Sequence, residues 1–405
     1  MKEKKREILM MFSYWGVGGA QQRAITLANS FSKSGYKVSI LSVLGNNNSA
    51  NQSFYDVKDG IMLVDIPNYS HKNRKHENGF RKTYIRVLKH LQPLLKKNKN
   101  LSAKYNDKIR GIKNSEDLRA YMTKHRGALV IVFGFNIYER CYYACKGLGC
   151  KMVYAETNAK NKFVDDRNYD ATVSLIEKAD MLVFQTQKEK EDFITGRKAN
   201  AEVVYNPIKN NLPEPYFGER EKIIVNFCAL KEQKNLLLLI QAFELLRNEH
   251  PEYSLHLYSD NPLDPDNAYR RTLLSYIADH SLENHVFLLP MRNDIHSVIR
   301  NKAMFVSSSD YEGLSNSMIE AMALGLPCVC TDCDGGGARE MIENGINGIL
   351  VPKGDCQALY IGMKKIIEDS EFAKACGQNS TGIREKLDTQ IITSQWLRLI
   401  ERIIN

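Results

Sequence analysis

Two glutamates, Glu312 and Glu320, are separated by seven residues in a stretch whose residue types suit anion binding. A run of strand type, 303–306, precedes them, and a short polar loop leads into a helix rich in Ala, Met and Leu. Asn316 or Ser317 is the predicted N-cap by residue type, and Ser317 has capping-box spacing to Glu320 three residues on. The free amides at the start of such a helix can bind a diphosphate, and both carboxylates would border it.

The same stretch also has a purely structural interpretation. Gly325 stands where a helix commonly ends, and Pro327 prevents the helix from continuing. Glu320 can be no more than the acid of a capping box, and Glu312 no more than a solvated loop carboxylate. The residues alone leave both interpretations open.

The order of residues from 312 to 327 is Glu-Gly-Leu-Ser-Asn-Ser-Met-Ile-Glu-Ala-Met-Ala-Leu-Gly-Leu-Pro. It closely resembles the donor-site signature of retaining glycosyltransferases of family 4, and the similarity continues through residues 331–340 and 347–352. The resemblance implies an α/β fold of two Rossmann-like domains that face each other across a cleft, known as the GT-B fold. The nucleotide-sugar would bind mostly to the C-terminal domain.

The resemblance also implies a reaction of the capsule-building type. A hexosyl or N-acetylhexosaminyl group would move from a nucleotide-sugar, with a UDP-sugar as the favoured donor, to a glycan or lipid-linked acceptor. Glu312 would hold hydroxyls of the donor sugar, Glu320 would hold the ribose hydroxyls, and Glu312 and Lys234 would be the catalytic residues. The residues expected to bind the nucleotide-sugar are Gly18, Gly19, Lys234, Glu312, Gly313, Leu314, Ser315, Asn316, Ser317 and Glu320.

One departure from the family's pattern concerns the cations at the diphosphate. The family places an Arg and a Lys at the spacing Arg-x-x-x-x-Lys, and here Lys234 matches the lysine while Ala229 stands in the arginine's place. An active transferase is the favoured interpretation. A nucleotide-sugar-binding protein that has lost catalysis, or a sugar-nucleotide epimerase on the same fold, are the alternatives.

The first half of the chain opens with the apolar run 7–12, a loop that contains Gly16, Gly18 and Gly19, and a helical pattern that Gly35 closes. As a dinucleotide fingerprint the glycine loop is incomplete, because Gln21 occupies the place of the third glycine. In the family that the chain resembles, the same loop lies on the cleft near the donor.

Length and residue alternation predict the domain organisation. A chain of 405 residues with 43% hydrophobic and 25% charged residues suits two folded domains. We expect an acceptor-binding domain at 1–206, a nucleotide-sugar-binding domain at 207–385, and a C-terminal helix at 386–405 that packs back on the first domain. After the first run, the predicted strands are 36–44, 61–66, 128–133, 151–155, 181–186, 201–205, 222–228, 254–259, 285–289 and 304–308.

The strand at 151–155 runs into Glu156, Thr157 and Asn158, at the end of a parallel strand where open sheets bind ligands. In capsule-type sugar transferases the matching place often holds a Glu-Arg-Asn segment that faces the acceptor. Glu156 and Asn158 are therefore candidate acceptor residues, although Thr157 replaces the arginine.

The helical pattern at 80–95 carries a strongly basic face, and more basic residues flank it between 72 and 104. Such a face can bind an anionic membrane surface, it can be simply solvated, or it can bind nucleic acid. Nucleic acid is disfavoured, because no aromatic residues interleave with the basic ones. The first two interpretations stay open.

Metal, cofactor and export signals are weak. Cys328, Cys330 and Cys333 are closely spaced, but they lack the partners of a tetrahedral site and are better interpreted as buried small residues. No cofactor or metal is expected. The absence of a long apolar run and of a signal peptide favours a cytoplasmic protein, with the inner face of the membrane as a peripheral location.

Overall fold

The computed structural model describes residues 7–13, 19–45, 57–67, 112, 114–156, 169–195, 199–260 and 262–404. Gly18, Asn158 and the basic segment 72–104 lie outside these ranges, so the expectations for them stay predictions. Within the described ranges, the chain forms two parallel β-sheets, one in each half. None of the helices in these ranges is long and apolar enough to cross a lipid bilayer.

The first sheet has the strand order β3-β2-β1-β4-β5-β6-β7, with all neighbours parallel. Its strands are β1 (Glu7–Phe12), β2 (Lys37–Ser42), β3 (Met62–Asp65), β4 (Leu129–Phe133), β5 (Lys151–Ala155), β6 (Met181–Phe184) and β7 (Ala201–Val203). The helices described in this half are α1 (Gly19–Lys33), α2 (Glu116–Met122), α3 (Phe135–Cys145), α4 (Tyr169–Ile176) and α5 (Gln187–Ile194).

The second sheet has the order β10-β9-β8-β11-β12-β13 and is also parallel. Its strands are β8 (Glu221–Phe227), β9 (Ser254–Ser259), β10 (Val286–Pro290), β11 (Lys302–Ser307), β12 (Cys328–Asp332) and β13 (Ile349–Pro352). The helices described here are α6 (Leu236–Arg247), α7 (Ala268–Asp279), α8 (Ile295–Ile299), α9 (Asn316–Ala323), α10 (Gly337–Met341), α11 (Cys356–Glu368), α12 (Ser370–Ser380), α13 (Ile383–Lys386) and α14 (Thr389–Ile404).

The inner strands are buried on both faces, which explains their near-continuous apolar sequences. All five residues of β4 are buried, and along β1 successive side chains enter different cores, with Met10 in one and Met11 in the other. Helices cover both faces of such a sheet. The predicted strands agree with the observed ones to within two residues at each end.

Two crossings of the chain between the halves lie side by side. The Ile208 amide donates to the Leu387 carbonyl at 2.9 Å, and the Thr389 hydroxyl donates to the Ile208 carbonyl at 2.7 Å. Beyond the second crossing, α14 lies against α1, where the buried Trp396 ring packs edge-on at 6.3 Å from the Phe31 ring. The chain therefore ends on the half in which it began.

Each sheet reverses its strand order beside its first strand, between β1 and β4 in one half and between β8 and β11 in the other. Parallel sheets bind ligands at the carboxyl ends of strands next to such a reversal. Gly19 follows β1, Lys234 follows β8, and the loop 308–315 follows β11. The fold thus brings the candidate residues to the ligand-binding edges of the two sheets.

Candidate active site

Helix α9 begins one residue earlier than the sequence suggested. Ser315 is the N-cap, with extended backbone angles (φ −70°, ψ 116°), and its Oγ accepts from the Met318 amide at 3.5 Å. Asn316 and Ser317 already belong to the helix, so the prediction of an N-cap at either residue is wrong. The capping box assigned to Ser317 and Glu320 is wrong for the same reason.

Glu320, in α9, is almost fully buried, and its carboxylate pairs with side chains from outside this helix. Its Oε2 contacts His296 Nε2 at 2.8 Å, and its Oε1 contacts Lys209 Nζ at 3.2 Å. Burial raises the pKa of Glu320, but hydrogen bonds from His296 and Lys209 outweigh it and leave the pKa below its ordinary value. The carboxylate is therefore charged, and it keeps lone pairs for a further donor.

Glu312 and Lys234 form an ion pair between the β11–α9 loop and the turn after β8. The Lys234 ammonium contacts the Glu312 carboxylate, and each side chain is 16% exposed. Burial lowers the pKa of Lys234. A mostly buried cation next to an acid, at the start of a helix, is an arrangement that suits a charged ligand.

The turn that carries Lys234 is joined to the β11–α9 loop by hydrogen bonds. Asn235 adopts a left-handed conformation (φ 44°), and its Nδ2 donates to Asp310 Oδ1 at 3.0 Å. The Ser308 hydroxyl donates to the carbonyls of Lys234 and Asn235 at 3.0 and 2.9 Å. The two segments therefore form one rigid unit that positions the ion pair.

A second glycine-rich segment, Gly335–Gly337, packs directly against the backbone of the β11–α9 loop. A Cβ atom added at Gly335 would lie 1.8 Å from the Glu312 carbonyl oxygen, and one at Gly337 would lie 1.9 Å from that of Gly313. Gly335 also has φ +98°, which disfavours any other residue. These positions need glycine because two backbone segments pack in direct contact.

The position that lacks the family's arginine is partly buried. Ala229 follows β8, and Lys231 beside it is exposed. Among the described residues, Lys234 is therefore the lysine that the fold directs to Glu312. Within the described ranges, the exposed Lys231 side chain forms no hydrogen bond or ion pair with the β11–α9 loop.

On the first half, Gly19, the first residue of α1, contacts the start of α9. Asn316 Nδ2 donates to the Gly19 carbonyl at 3.4 Å, and a Cβ added at Gly19 would lie 3.2 Å from that nitrogen. Asn206 Nδ2 donates to Asn316 Oδ1 (3.0 Å), to the Leu314 carbonyl (3.2 Å) and to Gln185 Oε1 (2.9 Å). The structure thus brings Gly19 and Asn316 together from opposite sides of the cleft.

The candidate acceptor residue Glu156 is only 4% exposed. Its carboxylate contacts the Tyr154 hydroxyl, and its carbonyl accepts from Arg23 Nη1 and Gln185 Nε2, both at 3.0 Å. The carboxylate is thus directed into the first domain. Its role towards an acceptor stays a prediction, as does that of Asn158.

Sequence reasoning missed two buried titratable residues beside Glu156. Arg23 is 2% exposed, and burial lowers its pKa to about 10. Glu189 is 3% exposed, and burial, together with the charge of Glu156, raises its pKa to about 8. Oε1 of Glu189 would lie 2.6 Å from a Cβ added at Gly313, so this carboxyl borders the β11–α9 loop.

A local signal for Glu189 was present. Thr186 and Glu189 have capping-box spacing, and the Thr186 hydroxyl accepts from the Glu189 amide at 3.0 Å. The Glu189 carboxylate accepts from the Gln185 amide at 3.1 Å. For Arg23, the signal was a single basic residue in the apolar stripe of α1.

The described residues hold no group of three or more His, Cys, Asp or Glu side chains that could bind a metal ion. Cys328 and Cys330 are fully buried in β12, and Cys333 is 6% exposed. This agrees with the interpretation of these cysteines as core residues. The expectation of a reaction without a metal stays a prediction.

Comparisons with known proteins agree with the geometry. Residues 208–382 match the family described as "Glycosyl transferases group 1". The N-acetylgalactosamine-N,N'-diacetylbacillosaminyl-diphospho-undecaprenol 4-alpha-N-acetylgalactosaminyltransferase of Campylobacter jejuni is 28% identical over 53% of this chain and 58% of that protein. The poly(ribitol-phosphate) alpha-N-acetylglucosaminyltransferase of Staphylococcus aureus is 25% identical over 86% of this chain and 66% of that protein.

The crystal structure of Anabaena HepE in complex with UDP-glucose is similar over 98% of this chain and 100% of that chain, with a TM-score of 0.77 and 18% identity. This likeness shows the fold, and it confirms the expected GT-B architecture of two parallel-sheet domains. The chain spans less than two thirds of the length of the two curated relatives named above. Together the comparisons support a glycosyltransferase of the GT-B fold.

Proposed function

We propose that this chain is a retaining glycosyltransferase of family 4 that moves a hexosyl or N-acetylhexosaminyl group from a UDP-sugar to a glycan or lipid-linked glycan in cell-surface polysaccharide synthesis. The observation that carries the proposal is the pairing of Lys234 with Glu312 at the start of α9. Relatives named for N-acetylgalactosaminyl and N-acetylglucosaminyl transfer, and a structural neighbour solved with UDP-glucose, support the substrate class.

The proposed reaction breaks the bond between the anomeric carbon of the sugar and the diphosphate. Negative charge then grows on the diphosphate, and a preorganised cation with helix-terminal amides stabilises it. Lys234 would supply the cation, and the amides of 313–317 would supply the hydrogen bonds. Glu312 would then hold hydroxyls of the donor sugar, so that the reacting carbon stays in place.

The remaining groups of the donor also have candidate partners. Glu320 is held at its two oxygens by His296 and Lys209, and as a charged acceptor it would take the ribose hydroxyls. The leaving diphosphate would accept the proton of the acceptor hydroxyl. We propose no metal and no cofactor for this step.

The test is a comparison of two lysines in the same segment. Lys234→Ala should lower kcat/KM for the donor by roughly a hundredfold or more, the usual scale for one preorganised group at developing charge. Lys231→Ala is the exposed control, and it should change the activation free energy derived from kcat/KM by only about 0–1 kcal/mol. Normal turnover by Lys234→Ala with a defective Lys231→Ala would place the diphosphate elsewhere.

A donor screen separates the proposal from its two alternatives. The thermal unfolding midpoint should rise most with one of the UDP-, GDP- and ADP-sugars. A ligand at 100 times its Kd adds about 2.7 kcal/mol to the free energy of unfolding, so the preferred nucleotide should be detected easily. Retention of the anomeric configuration in the product, read by NMR, supports the transferase. Conversion of the donor without an acceptor supports an epimerase, and binding without any conversion supports a protein that has lost catalysis.

We also propose that the protein works at the inner face of the membrane, with the basic segment 72–104 on anionic lipid. Sedimentation with anionic vesicles should be strong at low salt and should fade as salt is added. Replacing Arg81, Lys82, Arg86 and Lys89 by Gln should abolish it. Equal sedimentation with neutral vesicles would contradict the proposal.

A further inference from the structure

The amino end of α5, in the first half, lies directly on loops of the second half. Oε1 of Glu340 accepts from the backbone amides of Gln187 at 2.5 Å and Lys188 at 3.4 Å. The first amides of a helix have no partner within it, and a carboxylate there is favoured by the helix dipole. Glu340 thus caps a helix that belongs to the other domain.

Beside this cap, a second hydrogen bond joins the two halves, and side chains of α5 lie close to Gly336 and Gly313. The Thr186 hydroxyl, at the N-cap of α5, donates to the Gly335 carbonyl at 2.5 Å. A Cβ added at Gly336 would lie 2.8 Å from Cβ of Lys188. The absence of a side chain at Gly336 and Gly313 is therefore what lets α5 approach these loops so closely.

The contact continues to the ion pair of the candidate site. Gly335 touches the Glu312 backbone, as the 1.8 Å approach of an added Cβ shows, and the Glu312 amide donates to the Asp334 carbonyl at 2.8 Å. Since interiors are close-packed, a shift of the segment 334–337 would move Glu312 with it. The path from Glu340 to Lys234 therefore runs through the hydrogen bonds at the start of α5, the backbone contact of the segment 334–337 with Glu312, and the Glu312–Lys234 ion pair.

We propose that Glu340 is a positioning residue for the donor: by capping α5 it holds the segment 334–337, and with it Glu312, in the arrangement that binds the nucleotide-sugar. Donor affinity would then depend on the contact between the two domains. The inference rests on the proposed function, since it concerns the same site. It adds a residue that is predicted to act through Glu312 without touching the donor.

Three variants test the inference. Glu340→Ala should weaken UDP binding, measured by titration calorimetry, by roughly tenfold and should raise the KM for the donor similarly. Glu340→Gln should recover part of the loss, because its amide oxygen can still accept from both backbone amides. Glu343→Ala, the control, removes an exposed glutamate two residues beyond α10 and should bind UDP like the wild type.

Hydrogen exchange gives a readout that needs no ligand. The Gln187 and Lys188 amides should exchange faster in Glu340→Ala than in the wild type. Equal exchange, or wild-type UDP affinity in a Glu340→Ala protein that has only lost thermal stability, would overturn the inference and leave the proposed function intact. Failure of the wild type to bind any nucleotide-sugar would instead overturn the proposed function, and the donor role of Glu340 with it.

Discussion

The two sides of the cleft are built in different ways. On the second-domain side, one continuous stretch, 308–320, supplies a loop, a helix start and two acids, and Lys234 joins it from the turn after β8. On the first-domain side, the titratable groups Arg23, Glu156 and Glu189 come from three separate elements and are almost fully buried. One side is a local motif, and the other is a product of tertiary packing.

This difference determines what each side tolerates. We expect a site of backbone amides and side chains from one loop and helix to lose function when one group is removed while its fold persists. Buried titratable groups are stabilised by their hydrogen-bond and charge partners, so removal of one member leaves another buried polar group without a partner. We therefore expect substitutions on the first-domain side to affect stability, and those on the second-domain side to affect ligand binding.

The largest effect should come from Arg23→Met. The guanidinium donates to the carbonyls of Glu156 at 3.0 Å and Val204 at 3.3 Å, and methionine replaces it with similar volume but no charge. The loss should be about 3–5 kcal/mol in the free energy of unfolding. Urea denaturation measures it. Arg402→Met, which breaks the exposed pair with Glu202, is the control and should cost about 0–1 kcal/mol.

The pH dependence of stability should depend on Glu189. Its pKa is raised by burial from 4.5 to about 8 in the fold, with Glu156, Glu340 and Arg23 as the charged groups that face it. Between these values the folded protein keeps the proton and the unfolded chain releases it, so stability falls as the pH rises. The contribution of protonated Glu189 to the free energy of unfolding is therefore complete below pH 4.5, and it is lost as the pH rises to about 8.

The variant Glu189→Gln sharpens this prediction, because glutamine keeps an acceptor for the Gln185 amide and does not titrate. Between about pH 6 and about pH 8, the wild type should lose roughly 2 kcal/mol more stability than the variant, as urea denaturation would show. Glu191→Gln, an exposed change on the same helix, should keep the wild-type slope. Parallel curves for all three proteins would mean that Glu189 is charged in the fold.

On the second-domain side, Glu320→Ala should weaken UDP binding by roughly tenfold, or about 1.4 kcal/mol. The loss follows from the missing acceptor for the ribose hydroxyls. Calorimetry with 2′,3′-dideoxy-UDP provides the check, because the variant and the wild type should bind this analogue equally. If UDP affinity is unchanged while stability falls, Glu320 serves only to pair Lys209 and His296.

The smallest effect should come from Ala229→Arg, which restores the family's second cation. UDP should bind severalfold tighter, less than the ~1.4 kcal/mol of a tenfold change, because the added side chain stays partly solvated. Ala229→Gln is the uncharged control of similar reach. Tighter binding by both variants would reflect packing and not charge.

The sequence predicted the second-domain side better than the first for a physical reason. Spacing along one loop and helix is local, so the end of α9 just before Gly325 was readable, and apolar runs predicted the strands; the donor roles of Glu312 and Glu320 stay predictions. The start of α9 was predicted wrongly, because an N-cap depends on the backbone angles of Ser315, which residue types do not determine. Arg23 and Glu189 were missed because their burial arises only when separate elements meet.

The paired crossings at Ile208 and Leu387 have a mechanical consequence for the whole molecule. A single covalent link between two bodies allows them to twist and slide, whereas two adjacent links joined by a hydrogen bond of 2.9 Å act together as a strip. Such a strip bends readily about one axis and resists rotation about the others. We therefore expect the cleft to open by a hinge rotation about a single axis. Such a motion would bring Gly19 and Asn316 back into the same contact each time the cleft closes.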